Sequence, residues 1–127
     1  MPEREEFQYA LWRVVPRVER GECFNAGVVL FCRRKRFLAA RVALDEVKLR
    51  VLSPDCDPAA IARHLDTLAR VAAGEEDAGP IARMDQSERF HWLVAPSSTV
   101  VQPSPVHTGL AEDPQVALDA LFDKLVA

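Results

Sequence analysis

Residues 7–18, FQYALWRVVPRV, are aromatic or β-branched almost throughout, and counted by twos they are apolar on both sides. One face carries Trp12, Val14 and Val18. The other carries Phe7, Tyr9, Leu11 and Val15, with Arg13 and Arg17 interleaved. A strand of this kind belongs inside a sheet with cover on both faces. Pro16 has no amide donor, so the chain there is expected at an edge or a bulge. The polar stretch Glu19-Arg20-Gly21-Glu22 suits a hairpin turn. Residues 24–32, FNAGVVLFC, read as a second strand, and Gly27 within it marks a bulge or a close backbone approach. Arg33 to Arg36 form the tip of a second hairpin, and Phe37 to Val42 the third strand. The first third of the chain is therefore a three-stranded antiparallel meander.

The period then changes. Asp45 caps a short helix that runs to about Leu52 and stops at Ser53-Pro54. Asp57-Pro58 starts a second helix, with Ile61, Leu65, Leu68 and Ala72 in one apolar stripe and Gly74 as its terminator. Glu75 to Pro80 reads as a polar loop. Asp85-x-x-Glu88 is a capping pair for a helical turn that places Phe90, Trp92 and Leu93 in the core, and Pro96 ends it. Ser98 to Gln102 reads as a short fourth strand, Pro103 to Pro105 as extended chain, and His107-Thr108-Gly109 as a loop. Asp113-Pro114 starts the last helix, with Leu118, Leu121, Phe122 and Leu125 on one face. The fold class is α+β: one N-terminal antiparallel meander, a short fourth strand, and helices packed on the sheet, in a single domain over 1–127.

Val, Ile, Leu and Phe supply 36 of the 127 residues, enough for a packed core. Sixteen basic and nineteen acidic residues leave a net charge of −3, which argues against nucleic acid or an anionic membrane as the dominant partner. The N-terminus MPEREEFQYA has no apolar segment of a signal peptide, and Ala26 to Cys32 is far too short to span a bilayer. A cytoplasmic location is expected. Cys23, Cys32 and Cys56 show no metal or redox spacing, so three reduced thiols are expected, with neither metal nor cofactor.

Two segments, YALWRVVPRVERGECFNAGVVLFC at 9–32 and RFHWLVAPSSTVVQPSPVHTGLAEDP at 89–114, resemble Domain of Unknown Function family 3037, a group of uncharacterised bacterial proteins. The arginine-rich first hairpin with its Asn-x-Gly and the later His-Thr-Gly carry the resemblance, which spans nearly the whole chain. Family members are often encoded beside HipA-like serine/threonine kinases. The resemblance thus implies an accessory role in a toxin–antitoxin-type system, with such a kinase as partner.

The residues that could carry chemistry cluster in the same places. Arg13, Arg17, Glu22 and Asn25 lie among the strand hydrophobes of the first hairpin. Arg13 and Arg17 could clamp a carboxylate or phosphate, or form an internal Arg–Glu network, in which case Arg13 should meet a carboxylate or several carbonyls. Asn25 could face a ligand or bond its own backbone at the bulge. Arg89 beside Trp92 could bind an anion. His107 could serve as a general base or tie a loop to the sheet. The basic run 33–36 reads as a solvated tip. No nucleophile elbow, glycine-rich phosphate loop or pair of acid–base carboxylates is present. The sequence therefore favours a small binding or accessory module whose partner is another protein. The alternative is a small enzyme or ligand-binding domain for an anionic substrate, with Arg13, Arg17, Asn25, Arg89 and His107 convergent.

Overall fold

The first strand, β1 (Glu5–Val14), is the strand to which most of the sheet attaches. The computed structural model describes residues 3–97 and 99–127. One edge of β1 pairs antiparallel with β2 (Phe24–Cys32), which in turn pairs with β3 (Phe37–Val42). Its other edge is shared by two short strands, β4 (Val101–Pro103) and β5 (His107–Ala111). The sheet is five-stranded and antiparallel, in the order β3-β2-β1-β4 with β5 also on β1.

The meander and its two hairpins follow the sequence expectation. β1 stops earlier than its pattern suggests. Val15 still donates to Val100 O at 2.6 Å, but Pro16 has no N–H with which to continue the ladder. The expected fourth strand lies at 101–103 rather than 98–102, and Ser98 falls outside the described residues. Its last residue, Pro103, is tolerated because the strand borders the sheet. The bulge expected near Gly27 is present: Arg13 pairs with Asn25 and Trp12 with Gly27, leaving Ala26 as the extra residue. Gly27 is also a close approach, since a Cβ there would sit 2.9 Å from the Trp12 ring and 3.0 Å from Val42.

Four helices complete the fold: α1 (Glu46–Leu52), α2 (Pro58–Ala73), α3 (Gln86–Leu93) and α4 (Pro114–Leu125). Each begins where an aspartate predicts it. Asp45, Asp57, Asp85 and Asp113 accept bonds from the backbone N–H of Lys48, Ala59, Glu88 and Gln115. Such caps contribute about 1 kcal/mol apiece. Gly74 ends α2 in the left-handed region at φ 73°. The polar stretch between α2 and α3 holds two short 3-10 turns, Glu76–Ala78 and Ile81–Arg83.

Both faces of the sheet are covered, as the two-sided pattern of β1 requires. On one face Ala10, Trp12 and Val14 join Phe31, Leu49, Leu65 and Phe90 in the larger core, built with α1, α2 and α3. The Trp12 indole, 1% exposed, donates to Leu93 O at 3.1 Å. On the other face Phe7, Leu11, Val28, Leu30 and Cys32 pack with Leu118 of α4, and Leu121 and Leu125 lie against them. Cys32 behaves as a small hydrophobe there, while Cys23 is exposed, Cys56 is half-buried, and all three thiols are free. Among the described residues no helix is long and apolar enough to cross a membrane.

Candidate functional site

The sequence singles out six residues, and the fold sends them to four separate places. Arg13 lies near the C-terminal end of β1 on the α4 face, opposite Asn25 of β2 and Gln102 of β4. Its side chain is half-buried. No carboxylate pairs with it among the described residues, so the expected internal Arg–Glu partner is missing. Asn25 spends its side chain on structure: Nδ2 donates to Leu125 O at 3.1 Å and ties the last turn of α4 to the sheet. That bond answers one of the orphan carbonyls at a helix C-terminus. It also brings the negative end of α4 to the strand position beside Arg13, which favours a cation there.

His107 is not in a loop. It opens β5, opposite Tyr9, and the two rings lie 5.4 Å apart between centroids with their planes 37° apart. The physical reason is that β1 has two edges. With β2 on one, the backbone of Glu5 to Tyr9 needs partners on the other, and residues 107–111 supply them. Gly109 fits because Phe7 crosses the strand there; a Cβ would sit 2.5 Å from Phe7 Cζ. Ser104 bridges the gap between β4 and β5. Its hydroxyl accepts from Leu11 N at 2.8 Å, and its own N–H donates to Leu11 O at 2.8 Å.

Arg89 is on α3, across the larger core, and its task is local. Nη1 donates to Met84 O at 2.8 Å and Nη2 to Ala72 O at 3.4 Å. The guanidinium lies against Gly74, where a Cβ would meet Nη2 at 3.3 Å. Arg89 therefore caps the C-terminal end of α2 with positive charge. Trp92 is displaced from its expected core position. It is 47% exposed, whereas Phe90 and Leu93 are buried. Helical geometry explains the split: residues 90 and 93 share a face, and 92 is turned away from it. Trp92 borders a cleft of about 300 Å³ with Trp12, His64, Leu93, Val101 and Pro103. The three histidines stay apart, and no group of three His, Cys, Asp or Glu among the described residues could hold a metal.

Arg17 and Glu22 sit in the β1–β2 connection, which turns where Arg20 N and Gly21 N both donate to Arg17 O. Gly21 takes φ 72°, a conformation that suits glycine. Arg20 and Glu22 form an ion pair on the surface. The hydrogen bond from Arg20 holds the Glu22 carboxyl below its ordinary value, and the same bond raises Arg20. Arg17, Arg20 and Glu22 line a hollow of about 330 Å³ together with Val51 and Leu52 of α1.

That hollow adjoins a surface the sequence reading left out. Val47 and Val51 stand one helical turn apart on α1 and are 70% and 77% exposed; only Leu49 of that helix is buried. Val18, next to Arg17, is exposed as well. The signal was available: two valines four apart on a short capped helix, out of step with the leucine that anchors it. The result is an apolar centre with a charged rim of Arg17, Arg20 and Glu22, the general anatomy of a protein-binding surface. The basic tip at 33–36 differs, for Arg34 lies 3.7 Å from Glu5, and Arg33 and Arg34 border a hollow with Glu5 and Glu6.

A family model described as a protein of unknown function (DUF3037) matches residues 9–126, nearly the whole chain. No curated protein and no solved structure matches it.

Proposed function

The chain belongs to the DUF3037 family, and from that premise we propose that it acts as a small binding or accessory module whose partner is another protein. The observation that carries this reading is the exposed pair Val47 and Val51 beside the charged hairpin of Arg17, Arg20 and Glu22. Two large apolar side chains kept in water by a helix whose two leucines are anchored to the core are a cost unless another surface covers them. Arg17 makes no ion pair among the described residues, so it is free to meet a carboxylate on the partner. The partner is a HipA-like serine/threonine kinase, in a toxin–antitoxin-type system, as the family resemblance implies.

The test is co-expression with the HipA-like kinases of the native host and purification through a tag on this chain. The kinase should co-elute with the wild type and be lost with Val51→Asp and with Arg17→Glu. Co-elution unchanged by both variants would remove this surface from the reading. Absence of the kinase from the wild-type eluate would remove the kinase.

A second reading, a site for a phosphate- or carboxylate-bearing ligand, draws on one observation. Arg13 is half-buried without an acidic partner among the described residues, on the face that also carries Tyr9 and His107. Against convergence, Tyr9 and Arg13 are four residues apart on one strand, roughly 13 Å. The ligand would have to be extended.

A further inference from the structure

One edge of the sheet is left without protection. β5 bonds to β1 along one side only, and the outward N–H and C=O groups of 107–111 find no partner among the described residues. Sheet edges are normally blunted by short length, proline, lysine, a bulge or a covering element. β4 has only three residues and ends in Pro103. β3 packs against both α2 and α4, and its Arg41 lies over the Phe122 ring and pairs with Asp119. β5 has none of these devices. His-Thr-Gly-Leu-Ala contains no proline or lysine, and its register with β1 runs unbroken over five pairs. His107, Thr108 and Leu110 are exposed, Leu110 by 63%. Val106, Leu110 and Val116, three of the seven large apolar side chains exposed among the described residues, lie in or beside this strand.

The strand is complementary to itself when run antiparallel. A two-fold axis at Gly109 sets glycine against glycine, Thr108 against Leu110, and His107 against Ala111 of a second copy. The acidic residues Glu112 and Asp113 that follow the strand then come beside the imidazole end of the other copy, twice by symmetry. Gly109 carries no side chain at the axis, and Phe7 already fills the space a side chain would take.

We propose that β5 is a homodimerisation edge, through which two copies of this chain pair antiparallel along His107–Ala111 and join their sheets into one. The occupant is a second copy because the edge offers an unspent row of backbone bonds, a self-complementary register, and acidic residues at one end that fall beside the imidazole end of the other copy. The proposal is independent of the kinase-binding reading, which concerns the hairpin beyond the opposite end of β1.

Sedimentation equilibrium decides it. The wild type should be a dimer. Thr108→Lys/Leu110→Lys, which sets lysine against lysine at two cross-strand pairs, should be a monomer with an unchanged circular dichroism spectrum. Thr108→Glu/Leu110→Glu should also be a monomer, and an equimolar mixture of the two variants should restore the dimer. Amide exchange at 107–111 of the wild type should slow as protein concentration rises. A wild type that stays monomeric up to about 100 µM, a range that would catch any dimer with a Kd below that value, overturns the proposal. So does a lysine variant that remains dimeric, a mixture that fails to reassociate, or exchange at 107–111 that ignores concentration.

Discussion

The two faces of the sheet are finished to different degrees. The side under α1, α2 and α3 gathers the larger core around Trp12, Phe31 and Phe90, and even its arginine, Arg89, is spent on capping α2. The side under α4 has the smaller cluster. There α4 lies over β2 and β3 and leaves the line of Tyr9, Arg13 and His107 half-covered or open. The difference teaches where the chain can change cheaply. The first face carries stability, and the second keeps polar side chains at its margin.

Substitution of Trp12 should have the largest effect. Trp12→Ala removes a buried side chain from the larger core together with its bond to Leu93 O, and should cost about 3–5 kcal/mol. Urea denaturation reads this, and a loss below about 1 kcal/mol would break the contrast between the faces. A pair of arginines sharpens it. Arg89→Ala should cost about 2 kcal/mol, because the Ala72 carbonyl at the end of α2 and the Met84 carbonyl before α3 both lose a charged donor. Arg13→Ala should cost less than about 1 kcal/mol, since no buried carboxylate is stranded by its loss. Equal costs for the two would show that Arg13 is locked as firmly as Arg89.

Much of this fold was legible because it is written in local chemistry. The four aspartate caps, the Gly74 terminator, the Asp-Pro helix starts and the bulge beside Gly27 each depend on residues within a few positions of one another, and each stands where the sequence places it. What stayed hidden depends on distant partners. HTGLA, with a central glycine after a Pro-x-Pro stretch, has weak strand preference of its own; it is a strand because Glu5 to Tyr9 need an edge partner. The duty of Arg89 depends on α2 ending beside it, and that of Asn25 on α4 ending over it. Arg17 and Glu22 stand out by their composition, whereas the valines that complete their surface are signalled only by their four-residue spacing, out of step with Leu49.

The smallest expected effect concerns the hairpin rim. Glu22 is held below its ordinary value by the hydrogen bond from Arg20. A carboxyl depressed in the folded state adds stability above its unfolded value and loses it as pH falls through the folded one. The pair lies on the surface, where water screens it, so the gain is slight. NMR titration of the Glu22 carboxyl should show its midpoint rise toward the ordinary carboxylate value in Arg20→Ala. An unmoved midpoint would mean that the ion pair does not persist in solution.

The pair of hydrogen bonds between Leu11 and Ser104 has a consequence for how the protein is made. The two residues are 93 positions apart, a length that takes a ribosome roughly 5–19 s to add at about 5–20 residues per second. β1 and β2 are therefore made well before the strands that will close the far edge of β1. The strand to which most of the sheet attaches thus comes early and waits with one edge bare, a template for pairing with neighbouring nascent chains on the same message. Crowded polysomes, more than dilute refolding, are where this chain is most exposed to misassembly.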